Sequence, residues 1–181
     1  MKKTENLLLK RLKQEDTAQE AFRELIALYK ERLYWHIRNM VKIHEDTDDV
    51  LQNTFIKVYR NIDQFKGDSK LYSWMYRIAT NESITFLNKK AKHLQLNSAE
   101  LQDSIINNLE GDPYFEGKEI QLKLQKAIAS LPAKQQQVFN MKYFQDLKYR
   151  EIATILGTSE GALKASYHIA AKKIEEFLKS N

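Results

Sequence analysis

From Ala21 to Val41 the apolar side chains fall at Phe22, Leu25, Tyr29, Leu33, Ile37, Met40 and Val41, the three-and-four spacing that lines one face of an α-helix. The same rhythm returns in Val50, Leu51, Phe55, Val58, Tyr59 and Ile62, and again in Leu71, Trp74, Met75, Ile78 and Ala79. Only five glycines and two prolines interrupt the chain, too few turn formers for a sandwich or a run of hairpins. The pattern predicts an all-α fold. Asp46 or Thr47 is placed to cap the second helix, with Asp48 and Asp49 in its first turn, where the helix dipole favours anions. After a polar interval in which Gly67 supplies a turn, Ser69 is placed to cap a third helix running to about Lys92.

Residues 93–118 lose this rhythm, gather Asn, Asp, Glu and Ser, and contain Gly111-Asp112-Pro113 and Gly117. They are read as a flexible linker, with a short helical turn expected near Leu101 to Leu109. Periodicity resumes with Ile120, Leu124, Ala127, Ile128 and Leu131, and Pro132 stops that helix or opens the next, which holds Val138, Phe139 and Met141. A short helix follows with Tyr149, Ile152, Ala153 and Leu156 on one face. Gly157-Thr158 turns the chain, Ser159 caps, and a last helix runs to about Leu178 with Leu163, Tyr167, Ala170, Ile174 and Phe177 inward. At 181 residues the chain suits two small helical domains, 1–92 and 119–181, joined by the linker 93–118.

Charge is unevenly spread. Residues 1–85 carry 15 basic and 13 acidic groups, residues 86–119 carry 4 and 6, and residues 120–181 carry 10 and 5. A basic terminal module is the footprint expected of phosphate contact, although a solvated helical surface gives the same count. There is no cysteine, which excludes disulfides, thiolate metal sites and cysteine nucleophiles and suits a reducing, cytoplasmic setting. The apolar run Leu7-Leu8-Leu9 stops at Lys10-Arg11, so neither a signal peptide nor a membrane span is expected.

Short helix, glycine-containing turn, longer helix: residues 148–178 describe a helix-turn-helix, whose second helix can lie in a major groove. Projected at about 100° per residue, that helix sets Gly161, Lys164, Ala165, His168 and Lys172 opposite its apolar stripe. Lys164 and Lys172 can hold phosphate or guanine edges, and His168, Ser166 and Ser159 can reach bases or backbone. Small Gly161 and Ala165 permit close approach. Any helical bundle needs a polar outer face as well, so the motif alone leaves both readings open.

The third helix is entered through an unusual mixture: Phe65, Lys66, Lys70, Tyr72, Trp74, Tyr76 and Arg77, then Asn81 and Lys89-Lys90. Aromatics interleaved with cations suit unpaired nucleic acid, since base stacking on an aromatic is worth about 1–3 kcal/mol and nearby cations hold the backbone. Trp74 and Tyr76 fit the apolar core equally well; Phe65, Tyr72 and Asn81 are the better candidates for contact. The acidic cluster Glu45-Asp46-Asp48-Asp49 beside His44 has no second ligand set at helical spacing, which argues against a metal. Yet its helix exposes Asp48, Asp49, Gln52, Asn53 and Lys57 beside Phe55, a polar face with an aromatic anchor suited to a basic protein partner. No phosphate-cradling glycine loop, paired catalytic carboxylates or Ser-His-Asp grouping is present, so no enzyme activity, cofactor or small-molecule substrate is expected.

The stretch Asp46-Thr47-Asp48-Asp49-Val50-Leu51-Gln52-Asn53-Thr54-Phe55-Ile56-Lys57-Val58-Tyr59 resembles region 2.2 of the extracytoplasmic-function (ECF) sigma factors of bacterial RNA polymerase. Phe65-Lys66-Gly67-Asp68-Ser69 and Leu71 to Asn81 are similar to the adjoining regions 2.3 and 2.4. Leu131-Pro132, Tyr149-Arg150-Glu151-Ile152-Ala153 and Gly161-Ala162-Leu163-Lys164 resemble region 4. The resemblance implies that Asp48, Asp49, Gln52, Asn53 and Phe55 dock on the clamp helices of the polymerase β′ subunit, with the β subunit as a further contact. It implies that Phe65, Lys66, Lys70, Tyr72, Arg77, Asn81, Lys89 and Lys90 hold the single-stranded minus-ten element, a base being captured near residues 65–70 and Asn81. The last helix, from Ser159 to Lys172, is then the reader of the duplex minus-thirty-five element. An anti-sigma factor is a further implied partner, one that can hold a chain not itself embedded in the membrane at the membrane surface.

The departures from the family pattern carry information of their own. Thr80 stands where the family often has arginine, Lys89-Lys90 replace arginines, and Ala165-Ser166, Ile169 and Ala171 occupy arginine-rich positions of the last helix. Fewer guanidiniums mean fewer bidentate guanine or phosphate contacts, so an unusual minus-thirty-five sequence is expected. Two weak readers on one tether gain affinity from effective concentration, and the free chain should bind promoters poorly. Two other classes stand beside this reading: a helix-turn-helix regulator that never loads on polymerase, which leaves residues 46–81 unexplained, and a metal-dependent nucleic-acid enzyme, which lacks ligands.

Overall fold

The computed structural model describes residues 2–107, 109 and 119–180. Among these, nine α-helices follow one another: α1 (Lys2–Leu12), α2 (Glu15–Val41), α3 (His44–Asn61), α4 (Leu71–His93), α5 (Ser98–Asn107), α6 (Glu119–Ala129), α7 (Ala133–Tyr143), α8 (Tyr149–Leu156) and α9 (Glu160–Ser180), with a 3-10 turn at Ile62–Gln64. The all-α expectation holds, and several boundaries move. Helix α1 is unannounced by the pattern, yet Leu8 and Leu12, one turn apart, are buried in the core. Helix α2 begins at Glu15 rather than Ala21.

Two expected caps are replaced. Ile43 takes the N-cap position of α3; Thr47 is buried with its hydroxyl donating to the Ile43 carbonyl at 2.6 Å, and Asp46 pairs with Lys90 of α4. At α4 the N-cap is Lys70, not Ser69, and the first-turn N–H of Leu71 donates to Glu5 Oε1 of α1 at 2.9 Å. A carboxylate from a distant helix thus satisfies a donor that a local cap would otherwise take. At the other motif the local chemistry is as expected: Gly157 ends α8 at φ 65°, and Ser159 Oγ accepts from the Ala162 N–H at 3.3 Å.

Helices α1 to α4 form the N-terminal bundle, with Leu25, Leu33, Ile37, Val58, Leu71 and Met75 fully buried. Each such burial contributes about 1.5–3 kcal/mol. Buried hydroxyls are absorbed by the helices themselves: Thr54 donates to the Val50 carbonyl and Ser83 to that of Ala79, both at 2.8 Å. Where a short helical turn was expected, α5 makes ten residues of helix, and Leu101 and Ile105 pack on Ala91 and Leu87 of α4. The Gly111-Asp112-Pro113 and Gly117 stretch, on which the flexible-linker reading rests, lies outside the described residues.

In the C-terminal half α7 and α9 pack side by side through Phe139, Tyr167, Ala170 and Ile174, with Tyr167 stacked on Phe139 at 5.7 Å. The two halves touch. One continuous buried cluster runs from Leu8 through Met75 to Val138, Met141, Leu147, Ile152 and Ile155. Helix α8 packs on α4, and α7 packs on α2.

Candidate nucleic-acid interface

Three surfaces gather the residues singled out from the sequence. The first is on α3, where Asp48, Asp49, Gln52 and Asn53 are exposed in successive turns. Asp48 lies 3.4 Å from His44 Nε2, and Asn53 donates to the Asp49 carbonyl at 3.0 Å. Phe55 is only 8 % exposed, so it is not a free-standing anchor; it forms the floor of an apolar groove between α2 and α3 with Phe22 and Ile26. Ile56 and Tyr59 line that groove while 42 % and 51 % exposed, and the sequence pattern had turned Tyr59 inward. Tyr59 meets Phe22 edge-on at 4.9 Å, at the lip rather than in the core. Among the described residues no group of three His, Cys, Asp or Glu side chains is placed to hold a metal ion.

The second surface is the entry and outer face of α4. Lys66, Lys70, Arg77, Asn81 and Lys89 are exposed, and Tyr72 is half-buried. Phe65 departs from expectation: it is 7 % exposed and packs at 5.3 Å against Trp74, so its ring has no face open to a base in this arrangement. The turn into α4 brings it against Trp74, and half-buried Trp74 is left as the more accessible ring of the pair. Lys90 is held by Asp46 of α3.

Two cations of this face are already engaged, and their partners come from α8. Lys70 Nζ lies 2.9 Å from Glu151 Oε1 and over the Tyr72 ring at 5.2 Å; Arg77 donates to the carbonyls of Thr154 and, at 3.3 Å, Ile155. Glu151 also accepts the Lys148 N–H at 3.1 Å, closing the capping box of α8. Burial pushes the Glu151 carboxyl up, but donors from Tyr72, Lys70 and the Lys148 backbone outweigh it and hold the group at about 2. Sequence reading placed Glu151 in a motif without giving it this partner. A signal was present in Ile155, an apolar residue one step outside the Tyr149-Ile152-Ala153-Leu156 stripe. It is buried, as a side chain serving a second neighbour should be.

The third surface is the outer face of α9. Gly161, Lys164, Ala165, His168 and Lys172 are exposed, Ser166 is half-buried, and Ser159 stands at the helix entry. Leu163 and Ala170 point inward. Lys164 lies over the Tyr149 ring at 5.9 Å and Lys172 is 3.9 Å from Glu176, both loose contacts that leave the ammonium groups in solvent. Helix α9 therefore presents a cationic, small-residue strip, and α8 supports it from behind through Ile152 and Leu163.

Known proteins match both halves of this chain. The family profile for sigma-70 region 2 matches residues 25–93, and that for sigma-70 region 4 matches residues 121–174. The ECF RNA polymerase sigma factor SigW of Bacillus subtilis is 29% identical over 97% of this chain and 98% of its own length. The ECF RNA polymerase sigma-E factor of Escherichia coli K12 is 26% identical over 95% and 93%. Among solved structures, CnrH in complex with the cytosolic domain of CnrY superposes with a TM-score of 0.70 at 20% identity over 98% of both chains. The sigma factor RpoE in complex with the anti-sigma factor NepR from Bartonella quintana gives 0.66 at 21% identity, over 87% of this chain and 96% of that one. With both region profiles matched in sequence order and relatives aligned along nearly the whole length, the chain belongs to the ECF group of sigma-70 family RNA polymerase sigma factors.

Proposed function

We propose that this chain directs core RNA polymerase to promoter DNA and opens it, acting as a non-catalytic initiation subunit. The observation that carries this reading is the coexistence of three surfaces in one chain: a polar α3 face beside an open apolar groove, an aromatic and cationic α4, and a cationic α9 that is the second helix of a helix-turn-helix. In this reading Asp48, Asp49, Gln52 and Asn53, with the groove floored by Phe55, dock on the β′ clamp helices. Lys66, Lys70, Tyr72, Arg77, Asn81 and Lys89 hold the minus-ten single strand, and Ser159 to Lys172 hold the minus-thirty-five duplex. Residues 1–92 and 119–181 act as two modules, bridged by 93–118. A reader of one duplex site alone would leave the α3 groove and the α4 aromatics without a role.

Among the described residues no helix is long and apolar enough to cross a membrane, and we place the active chain in the cytoplasm on the nucleoid. One structural relative was solved with the cytosolic domain of CnrY and the other with the anti-sigma factor NepR; an anti-sigma factor for this chain belongs to the same proposal. The test is run-off transcription with purified core polymerase on a genomic promoter library, with and without the chain. Chain-dependent initiation from a shared motif is expected, and its absence overturns the reading. Asn81→Ala should form the complex normally and then fail at strand opening; a defect confined to core assembly would remove Asn81 from the base pocket.

A further inference from the structure

The elements that the proposed function assigns to promoter DNA are, in this structure, assigned to each other. Lys70 and Arg77 of α4 are bound by the Glu151 carboxylate and by the Thr154 and Ile155 carbonyls, the last being the negative end of the α8 dipole. A carboxylate and two outward carbonyls offered to an ammonium and a guanidinium reproduce the acceptors of a nucleic-acid backbone. Tyr72 is covered in the same contact, its hydroxyl 3.4 Å from Lys70 Nζ. Ile155 is buried in the apolar cluster that joins the two halves. Beyond this patch the seam is closed by three further contacts: His36 with Gln145 at 3.1 Å, Asn140 donating to the Asn39 carbonyl at 3.0 Å, and Lys42 donating to Gln125 at 2.7 Å.

This arrangement cannot read a promoter. Elements centred ten and thirty-five base pairs upstream lie about 85 Å apart along the duplex, at about 3.4 Å per pair. The first helix of the helix-turn-helix meanwhile sits on the minus-ten reader at hydrogen-bond distance. Either the seam or the two-site DNA contact can exist, not both. The α3 groove is lined only by residues of α2 and α3 and is left open by the seam, so polymerase can dock before the halves part.

We propose that α8 serves as an intramolecular stand-in for the minus-ten strand, so that the free chain closes on itself with the hydrogen-bonding groups of Lys70, Tyr72 and Arg77 already engaged. The proposal rests on those residues being the DNA contacts, and adds that Glu151 and the C-terminal carbonyls of α8 compete with DNA for them. His36 and Thr80 extend the lock into the N-terminal bundle: Thr80 is 3 % exposed and lies 2.9 Å from His36 Nε2 on the path to Gln145.

The chain has no cysteine, so Arg23→Cys with Glu176→Cys gives two unique labels on exposed positions of the two halves. Energy transfer between them reports how near the two halves sit in the free full-length chain. It should fall when core polymerase and promoter DNA are added together. Glu151→Gln, which keeps a capping-box side chain at that position, and Gln145→Ala, at the far contact, should each lower transfer in the free chain. Each should also let a twenty-residue oligothymidylate bind about three- to tenfold more tightly, because the competent fraction rises. Circular dichroism checks that each variant keeps its helix content. Transfer that does not change when core polymerase and promoter DNA are added, or two folded variants that alter neither transfer nor oligothymidylate binding, overturns the proposal. Run-off transcription separates this from the broader reading: initiation with a seam insensitive to Glu151→Gln removes only the stand-in, and a sensitive seam without initiation removes the promoter role on which the stand-in rests and leaves only an interdomain contact.

Discussion

His36 on α2 and Gln145, in the turn between α7 and α8, meet at 3.1 Å through the histidine Nδ1 and the carboxamide, across the seam between the two halves. The other ring nitrogen lies 2.9 Å from Thr80 Oγ1, whose own proton goes to the Tyr76 carbonyl at 2.8 Å. Thr80 must therefore accept, which places the imidazole proton on Nε2 and leaves Nδ1 to accept from the Gln145 amide. The ring is neutral, 1 % exposed and tilted over Tyr76 at 4.5 Å.

That network makes closure sensitive to acid. Burial lowers His36 from 6.5 to about 4, only partly opposed by its bond to Gln145. Protonation puts a charge on a ring buried from water, a cost that the Gln145 carboxamide oxygen, also 3.1 Å from Nδ1, offsets only in part. Because the buried ring binds its proton more weakly than an exposed one, its cost is absent above about pH 6.5 and grows as pH falls toward 4. Interdomain energy transfer and the thermal midpoint should both fall across that window, and His36→Gln should flatten the profile. An unchanged slope in the variant would assign the acid sensitivity to other groups.

Lys42 ends α2 with φ 73°, a backbone that only glycine adopts without strain, and holds its ammonium in the seam against Gln125. Burial, with Arg38 beside it, lowers that ammonium from 10.5 to about 7. Stability tied to this group is therefore lost as pH falls from the lysine range toward 7. Lys42→Gly relieves the φ and removes the buried charge, at the cost of one hydrogen bond. We expect a net gain of about 1 kcal/mol at pH 7, read by urea denaturation; a loss of stability would show the Gln125 bond to outweigh both.

On α3, Asp49→Arg reverses the polarity of the exposed face and Ile56→Asp places a charge in the groove, each leaving the buried Val50, Leu51 and Val58 untouched. Each should weaken binding to core polymerase about tenfold or more, measured by fluorescence anisotropy, with helicity unchanged. Gln52→Ala should weaken it less. Core affinity unaffected by all three would move the docking surface elsewhere.

Lys164→Ala and Lys172→Ala remove exposed cations from α9 without disturbing Leu163, Ala170 or Ile174. If both contact phosphate, holoenzyme affinity for promoter fragments should drop similarly across sequences, and the slope of log affinity against log salt should shrink by about one per lysine. A change in sequence preference instead, at constant slope, would mark that lysine as a base reader.

Helices α2, α3, α4, α8 and α9 were legible because each carries an apolar stripe at helical spacing, and the exposed residues of α9 fell opposite that stripe. The Gly157 turn and the Ser159 cap were legible because they depend on a few adjacent residues. Helix α1 was not, since Leu8 and Leu12 acquire meaning only from the helices they meet. Nor were the real caps: Asp46 is drawn to Lys90 forty-four residues away, and α4 takes its cap from Glu5. Phe65 read as a free ring because its local surroundings are polar; its neighbour is Trp74, reached only once the turn into α4 closes.

What this sequence determined by itself is the kind of protein: helical periods set the class, and three local motifs in order identified the family, because both are properties of short stretches. Only the tertiary structure decided how the parts are engaged. Whether Lys70 and Arg77 face solvent, DNA or α8 depends on a competition among acceptors distant in sequence, settled by charge, burial and geometry that no stretch of residues contains alone.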